Sequence, residues 1–102
     1  MINLLKKLFN GRQTDYRALV SEGALIIDVR TTVEYKSGHI EGSRNIPLDL
    51  IQSKLAEIKG LQKLVITVCR SGARSGMAKS ILAAGGLTVY NGGAWDALER
   101  KL

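Results

Sequence analysis

The sequence predicts a small α/β domain, a parallel β-sheet flanked by helices on both faces. Largely apolar runs at Ala24–Arg30, Leu64–Cys69 and Leu87–Tyr90 have the continuous character of strands buried on both sides. Stretches with helical spacing and capping signals lie between them, and strands that alternate with helices are joined by crossovers, which makes the sheet parallel. The chain has 102 residues, 45% of them hydrophobic and 24% charged, the composition of one core that buries roughly two-thirds of the unfolded surface.

The elements follow in order. Met1, Leu4, Leu5 and Leu8 recur at helical spacing with Lys6 and Lys7 opposite, so residues 1–13 read as an N-terminal amphipathic extension ahead of a domain over 14–102. Docking on the domain is expected of it. A membrane-surface helix would carry a longer apolar face and more than two lysines. Thr14 is expected to cap a helix through Val20 that stops at Gly23. After the first strand, Thr31-Thr-Val-Glu34 is a capping box that starts one or two helical turns, ended by Gly38. Asn45-Ile-Pro47 is long enough only for an edge or connecting strand. Asp49 is expected to cap a helix that carries Ile51, Leu55 and Ile58 at i, i+4 and i+7 and ends at Gly60. Leu64–Cys69 is the strongest strand signal. It runs into Arg70-Ser-Gly-Ala-Arg74, a helix from about Ser75 to Ala84 closed by Gly85 and Gly86, a strand at Leu87–Tyr90, a turn at Gly92-Gly93 and a last helix from Ala94 to Leu102.

Composition removes several function classes. One cysteine, Cys69, allows no intrachain disulfide, and with one histidine, His39, it offers too few soft ligands for a structural zinc site, so no metal or cofactor is expected. No apolar run is long enough to span a membrane, and Lys6 and Lys7 interrupt any signal-like stretch, so the expected address is cytoplasmic with no membrane partner. The net charge is +6, but the basic residues are dispersed and the few aromatics sit in no basic stripe. Nucleic-acid binding is therefore not expected. A basic balance does favour small anionic substrates by long-range steering.

Ligands of open parallel sheets bind beyond the carboxyl ends of the strands, and Cys69 lies there, before the loop that opens a helix. Arg70, Ser71, Gly72, Ala73 and Arg74 offer a row of backbone N–H groups with Gly72 free to take positive φ, an anion nest around the sulfur. The helix N-terminus and the two arginines also favour thiolate over thiol. A lone cysteine ending a buried strand is commonly a small core hydrophobe. That reading leaves the two arginines, two serines and glycine around the loop unexplained. A cysteine–histidine hydrolase would need His39 as base, but a histidine between turn glycines is usually structural, and a dithiol redox enzyme needs a second cysteine. Attack on electrophilic sulfur or phosphorus by a thiolate prepared by its surroundings remains.

Asp28-Val-Arg30, Glu34-Tyr35, Gly38-His39-Ile40-Glu-Gly42 through Pro47-Leu48, Val68-Cys69-Arg-Ser-Gly72-Ala-Arg74-Ser75 and Asn91-Gly92-Gly93-Ala-Trp95 resemble, in that order, a single-domain rhodanese. The resemblance covers about Leu19 to Leu98. It implies a rhodanese-like α/β domain with thiosulfate-type sulfurtransferase activity: Cys69 would take sulfane sulfur from thiosulfate or a persulfide donor and pass it to cyanide or another thiophilic acceptor. Arg70, Ser71, Gly72, Ala73 and Arg74 match the family's substrate-binding loop. Related cysteine phosphatases have one more residue between Cys and Arg, a wider ring suited to phosphate or arsenate. The implied partners are small sulfur-containing anions or a persulfide donor or acceptor protein. A regulatory module or a protein-to-protein persulfide carrier is the alternative. Beside the loop, an Arg30–Glu34 surface tie, a structural ring hydrogen bond from His39 and a core anchor in Trp95 are expected.

Overall fold

The computed structural model describes residues 14–102; the expected helix over the first residues lies outside them. The chain forms α1 (Tyr16–Ser21), β1 (Leu25–Asp28), α2 (Thr32–Lys36), β2 (Arg44–Asn45), a 3₁₀ turn (Leu48–Leu50), α3 (Leu55–Gly60), β3 (Val65–Cys69), α4 (Ala73–Ala84), β4 (Val89–Ala94) and α5 (Trp95–Glu99). The four strands pair in parallel in the order β2-β1-β3-β4. The sheet is therefore parallel with β2 at one edge, as its brevity predicts.

Strand alternation splits the core in two. Ile27 and Val29 of the β1 segment and Val65 and Cys69 of β3 pack with Ile51, Ile58, Ala78 and Leu82, so α3 and α4 cover this face. Ile26, Ile66 and Val68 point the other way, toward Leu19 of α1 and Leu98 of α5. Helices flank both faces. Every residue of β3 is buried, which is why its sequence shows no polar alternation.

Several boundaries differ from the sequence reading. Asp15, not Thr14, caps α1, its carboxylate accepting from the Ala18 N–H at 3.0 Å. The Thr31–Glu34 capping box forms in full. No continuous helix follows Asp49: the 3₁₀ turn ends at Leu50, and α3 starts only after Lys54, with no side-chain cap. Ile51 and Ile58 are nonetheless both buried, so the apolar spacing reports a shared face reached by two short pieces instead of one helix. Gly92-Gly93 is no turn but the middle of β4. Thr67 pairs with Asn91 and Val68 with Gly93, so Gly92 is the extra residue of a β-bulge. A Cβ on Gly92 would lie 2.9 Å from Ile66 and 3.0 Å from Val68, and Gly93 has φ +79°. Pairing with β3 continues through the two glycines because only they permit this path. The last helix is shorter than expected, ending at Glu99.

Candidate functional site

Cys69 ends β3 and is buried. Beyond it the chain turns sharply, and Gly72, at φ +106°, caps α4. The helix thus begins at Ala73, two residues before the expected start. Ala73 and Arg74 belong to its first turn, and only Arg70, Ser71 and Gly72 form the loop. This turn brings the Gly72 N–H to 2.9 Å from Cys69 Sγ, while Ser75 Oγ lies 3.3 Å from the sulfur. Burial pushes the Cys69 thiol up, but the Ser75 hydroxyl and the N–H groups of Ser75, Gly72 and Ser71 outweigh it. The thiol ionises below its ordinary pKa. A row of backbone donors around the sulfur is what the loop composition predicts.

Arg74 does not extend freely over the sulfur. Its Nη1 and Nη2 donate to Glu34 Oε1 and Oε2 at 2.7 and 2.9 Å, a two-pronged bridge between α4 and α2. Glu34 Oε1 also accepts from the Thr31 N–H at 3.0 Å as its part of the capping box. Arg74, then the Thr31 N–H, hold the Glu34 carboxyl at about 2, and Glu34 in turn strengthens protonation of Arg74. Arg70 and Ser71 are exposed at the mouth of the loop.

The expected Arg30–Glu34 surface tie is replaced by a buried one. Arg30 Nη2 lies 2.7 Å from Asp28 Oδ2, with Nε at 2.9 Å from Oδ1, and both side chains are almost wholly buried. Arg30 also donates to the carbonyls of Gly38 at 2.7 Å and Glu34 at 3.3 Å, and its guanidinium stacks 4.6 Å from the centre of the Trp95 ring. Arg30 reaches Glu34 only through the main chain because the Glu34 carboxylate is taken by Arg74. This pair ties β1, α2 and α5 together beneath the loop. Trp95 packs in the core as expected and also roofs Arg30. The His39 ring Nδ1–H donates to the Tyr35 carbonyl at 2.7 Å, and the ring stacks on Tyr35 at 3.7 Å, the structural role expected of it.

Glu34 was expected to pair with Arg30 and instead holds Arg74, and Ser75 and Asn91 were given no role of their own. The Ser75 hydroxyl donates to Asn91 Oδ1 at 2.6 Å and lies 3.1 Å from the Gly72 carbonyl, which also accepts from Asn91 Nδ2 at 3.1 Å. Ser75 directly follows the loop motif and could have been suspected. Glu34 stands 40 residues from Arg74, and its helix-capping role already accounted for it.

The rhodanese-like domain family matches residues 12–98. Among curated proteins, the chain is 42% identical over 69 residues to the uncharacterised protein YqhL of Bacillus subtilis, across 67% of this chain and 54% of that one. It is 38% identical over 69 residues to the thiosulfate sulfurtransferase PspE of Escherichia coli, across 66% of each. The matches therefore span between about half and two-thirds of those relatives. A solved rhodanese from E. coli, bound to anions, superposes with a TM-score of 0.67 at 33% identity, over 72% of this chain and 89% of that one. With the cysteine loop, the Asp28–Arg30 strand end and the glycine-bulged β4 in one parallel sheet, the chain belongs to the rhodanese-like domain family.

Proposed function

We propose that the protein is a sulfurtransferase whose nucleophile is Cys69. The Cys69 thiolate attacks the sulfane sulfur of thiosulfate, an S–S bond forms as the donor S–S bond breaks, and sulfite leaves with the electron pair. The terminal persulfide sulfur is then taken by cyanide as thiocyanate, or by another thiophilic acceptor, which returns the thiolate. A persulfide donor follows the same course with its thiolate as the leaving group. One observation carries this reading: the buried Cys69 sulfur receives the Gly72 N–H at 2.9 Å and is ringed by further backbone donors, an environment that stabilises a sulfur anion without a proton shuttle. The short Cys69-to-Arg74 spacing supports sulfur over phosphate as the transferred group. Arg70, exposed beside the loop, is the residue proposed to attract an anionic donor, and Ser71, Gly72 and Ala73 the ones that line its approach. Arg74 braces the loop through Glu34.

Intact-mass measurement tests the proposal. Thiosulfate treatment is expected to add one sulfur atom and cyanide to remove it, whereas Cys69→Ser gains none, since a serine hydroxyl is not ionised near neutrality. The variant should fold, at a cost within about 1–2 kcal/mol, because Gly72 and Ser75 still partner its hydroxyl. A gain of sulfur from a persulfide donor but not from thiosulfate would identify a carrier. No gain from either would reject the transferase and leave a regulatory module.

A further inference from the structure

The Ser75 hydroxyl has one hydrogen and three acceptors within reach: Asn91 Oδ1 at 2.6 Å, the Gly72 carbonyl at 3.1 Å and, when ionised, Cys69 Sγ at 3.3 Å. The Asn91 amide orientation is fixed by its neighbours. Its Oδ1 accepts from the Gly93 N–H at 3.0 Å and its Nδ2 donates to the Gly72 carbonyl, so a flipped amide would set N–H against N–H. The shortest contact assigns the Ser75 hydrogen to Asn91, leaving Ser75 Oγ as acceptor for the thiol hydrogen of Cys69. Neither oxygen acceptor depends on Ser75. Oδ1 keeps Gly93, and the Gly72 carbonyl keeps Asn91 Nδ2 and the Gly76 N–H at 3.0 Å. The hydroxyl can therefore turn to the sulfur without orphaning a buried polar atom, the cost that normally locks such networks.

Resting on the reading of Cys69 as nucleophile, we propose that Asn91 is a positioning residue that sets the pH at which Cys69 ionises, by competing with the sulfur for the single hydrogen of Ser75. In the thiol form, Cys69 S–H donates to Ser75 Oγ and Ser75 O–H to Asn91. On ionisation the thiol proton passes to water, and Ser75 O–H rotates from Asn91 to the thiolate. The bulge in β4 makes this possible, because the extra residue at Gly92 sets Asn91 and the Gly93 N–H together beside Ser75. The carboxylates around the sulfur are otherwise engaged. Asp28 of β1 is held by Arg30, and Glu34 of α2 by Arg74, whose positive charge is felt at Cys69. Arg70 is exposed on the loop, and Tyr90 of β4 packs on the opposite face of the sheet.

The pH profile of Cys69 alkylation by iodoacetamide tests this without any sulfur donor, so a failed sulfur-transfer assay and a failure here are separate results. Ser75→Ala is expected to raise the midpoint by about one pH unit, through loss of a hydrogen bond to the charged form. Asn91→Ala is expected to lower it by about half a unit, as the hydroxyl is released to the sulfur. Adding Asn91→Ala to Ser75→Ala should move the midpoint no further. An unchanged or raised midpoint in Asn91→Ala, or a lowering that persists without Ser75, would overturn the proposal. Asn91→Leu, which fills the amide volume without an acceptor, carries the same expectations if the alanine variant does not fold. On the unaltered chain, the infrared S–H stretch of the thiol form is expected at the lowered frequency of a donor to oxygen. A non-donating band would overturn the arrangement.

Discussion

The two arginines that follow Cys69, one in the loop and one in the first turn of α4, have different surroundings. Arg74 is spent on Glu34, and Arg70 is exposed, so the two substitutions are expected to differ in kind. Arg70→Ala should raise KM for thiosulfate more than for a neutral persulfide donor, since what it removes is attraction for an anion. Arg74→Ala should lower kcat for every donor alike, because the first turn of α4 loses its tether to α2. Kinetics with two donors of different charge decide this, and equal donor dependence in both variants would contradict the division. The Arg74–Glu34 bridge also has a pH signature. The Glu34 carboxyl is held at about 2 against an ordinary 4.5, so its folded form is the harder to protonate. Its contribution to stability is present above about pH 4.5 and is lost as pH falls from there toward 2. Thermal melts of the parent and Glu34→Gln are expected to differ near neutrality and to converge over that interval. A constant gap would show that the bridge is not the source.

Among the elements, β4 and α3 carry glycines that do different work. Gly92 sits in the bulge with Ile66, Val68 and Leu98 against it, so Gly92→Ala forces a core side chain or the strand to shift. The expected cost is about 1–3 kcal/mol. Gly60, at the end of α3, has open space around it and no positive φ, so Gly60→Ala should be neutral or stabilising by up to about 1 kcal/mol. Urea unfolding of the two variants measures the contrast, and equal stability would remove the packing argument. The element boundaries were legible where the signal is local. The Thr31–Glu34 capping box is written in four consecutive residues and forms as read. The bulge was not legible, because a glycine pair looks the same in a turn and in a strand until the partner strand is known.

At the scale of the whole molecule, the net charge of +6 acts as a dispersed field more than as a patch. Association with thiosulfate should be favoured by that field and weakened by salt, since exposed charges are screened over about 8 Å at physiological ionic strength. KM for thiosulfate is expected to rise with added inert salt in the parent chain and to rise less in Arg70→Ala, the two values converging at high salt. A KM indifferent to salt would place recognition wholly in the backbone donors around Cys69. Among the described residues no helix is long and apolar enough to cross a membrane. The sheet order puts β1 and β3 in the centre, so the Asp28–Arg30 strand end and Cys69 emerge side by side. The loop after Cys69 therefore rests on the most buried part of the fold.

The sequence by itself determined the parallel α/β class, the strand ending in Cys69, the backbone donors that the turn after it presents to the sulfur and the helices of both faces, because each depends on local spacing, capping or burial. Tertiary structure alone decided the partners. Arg30 stacked on Trp95, Arg74 chose Glu34, which left Arg30 to its near neighbour Asp28, and Ser75 met Asn91, because side chains far apart in sequence compete for the same few charges and hydrogens only once the chain has brought them together. Such competition is settled by distance and geometry, to which residue order gives no access.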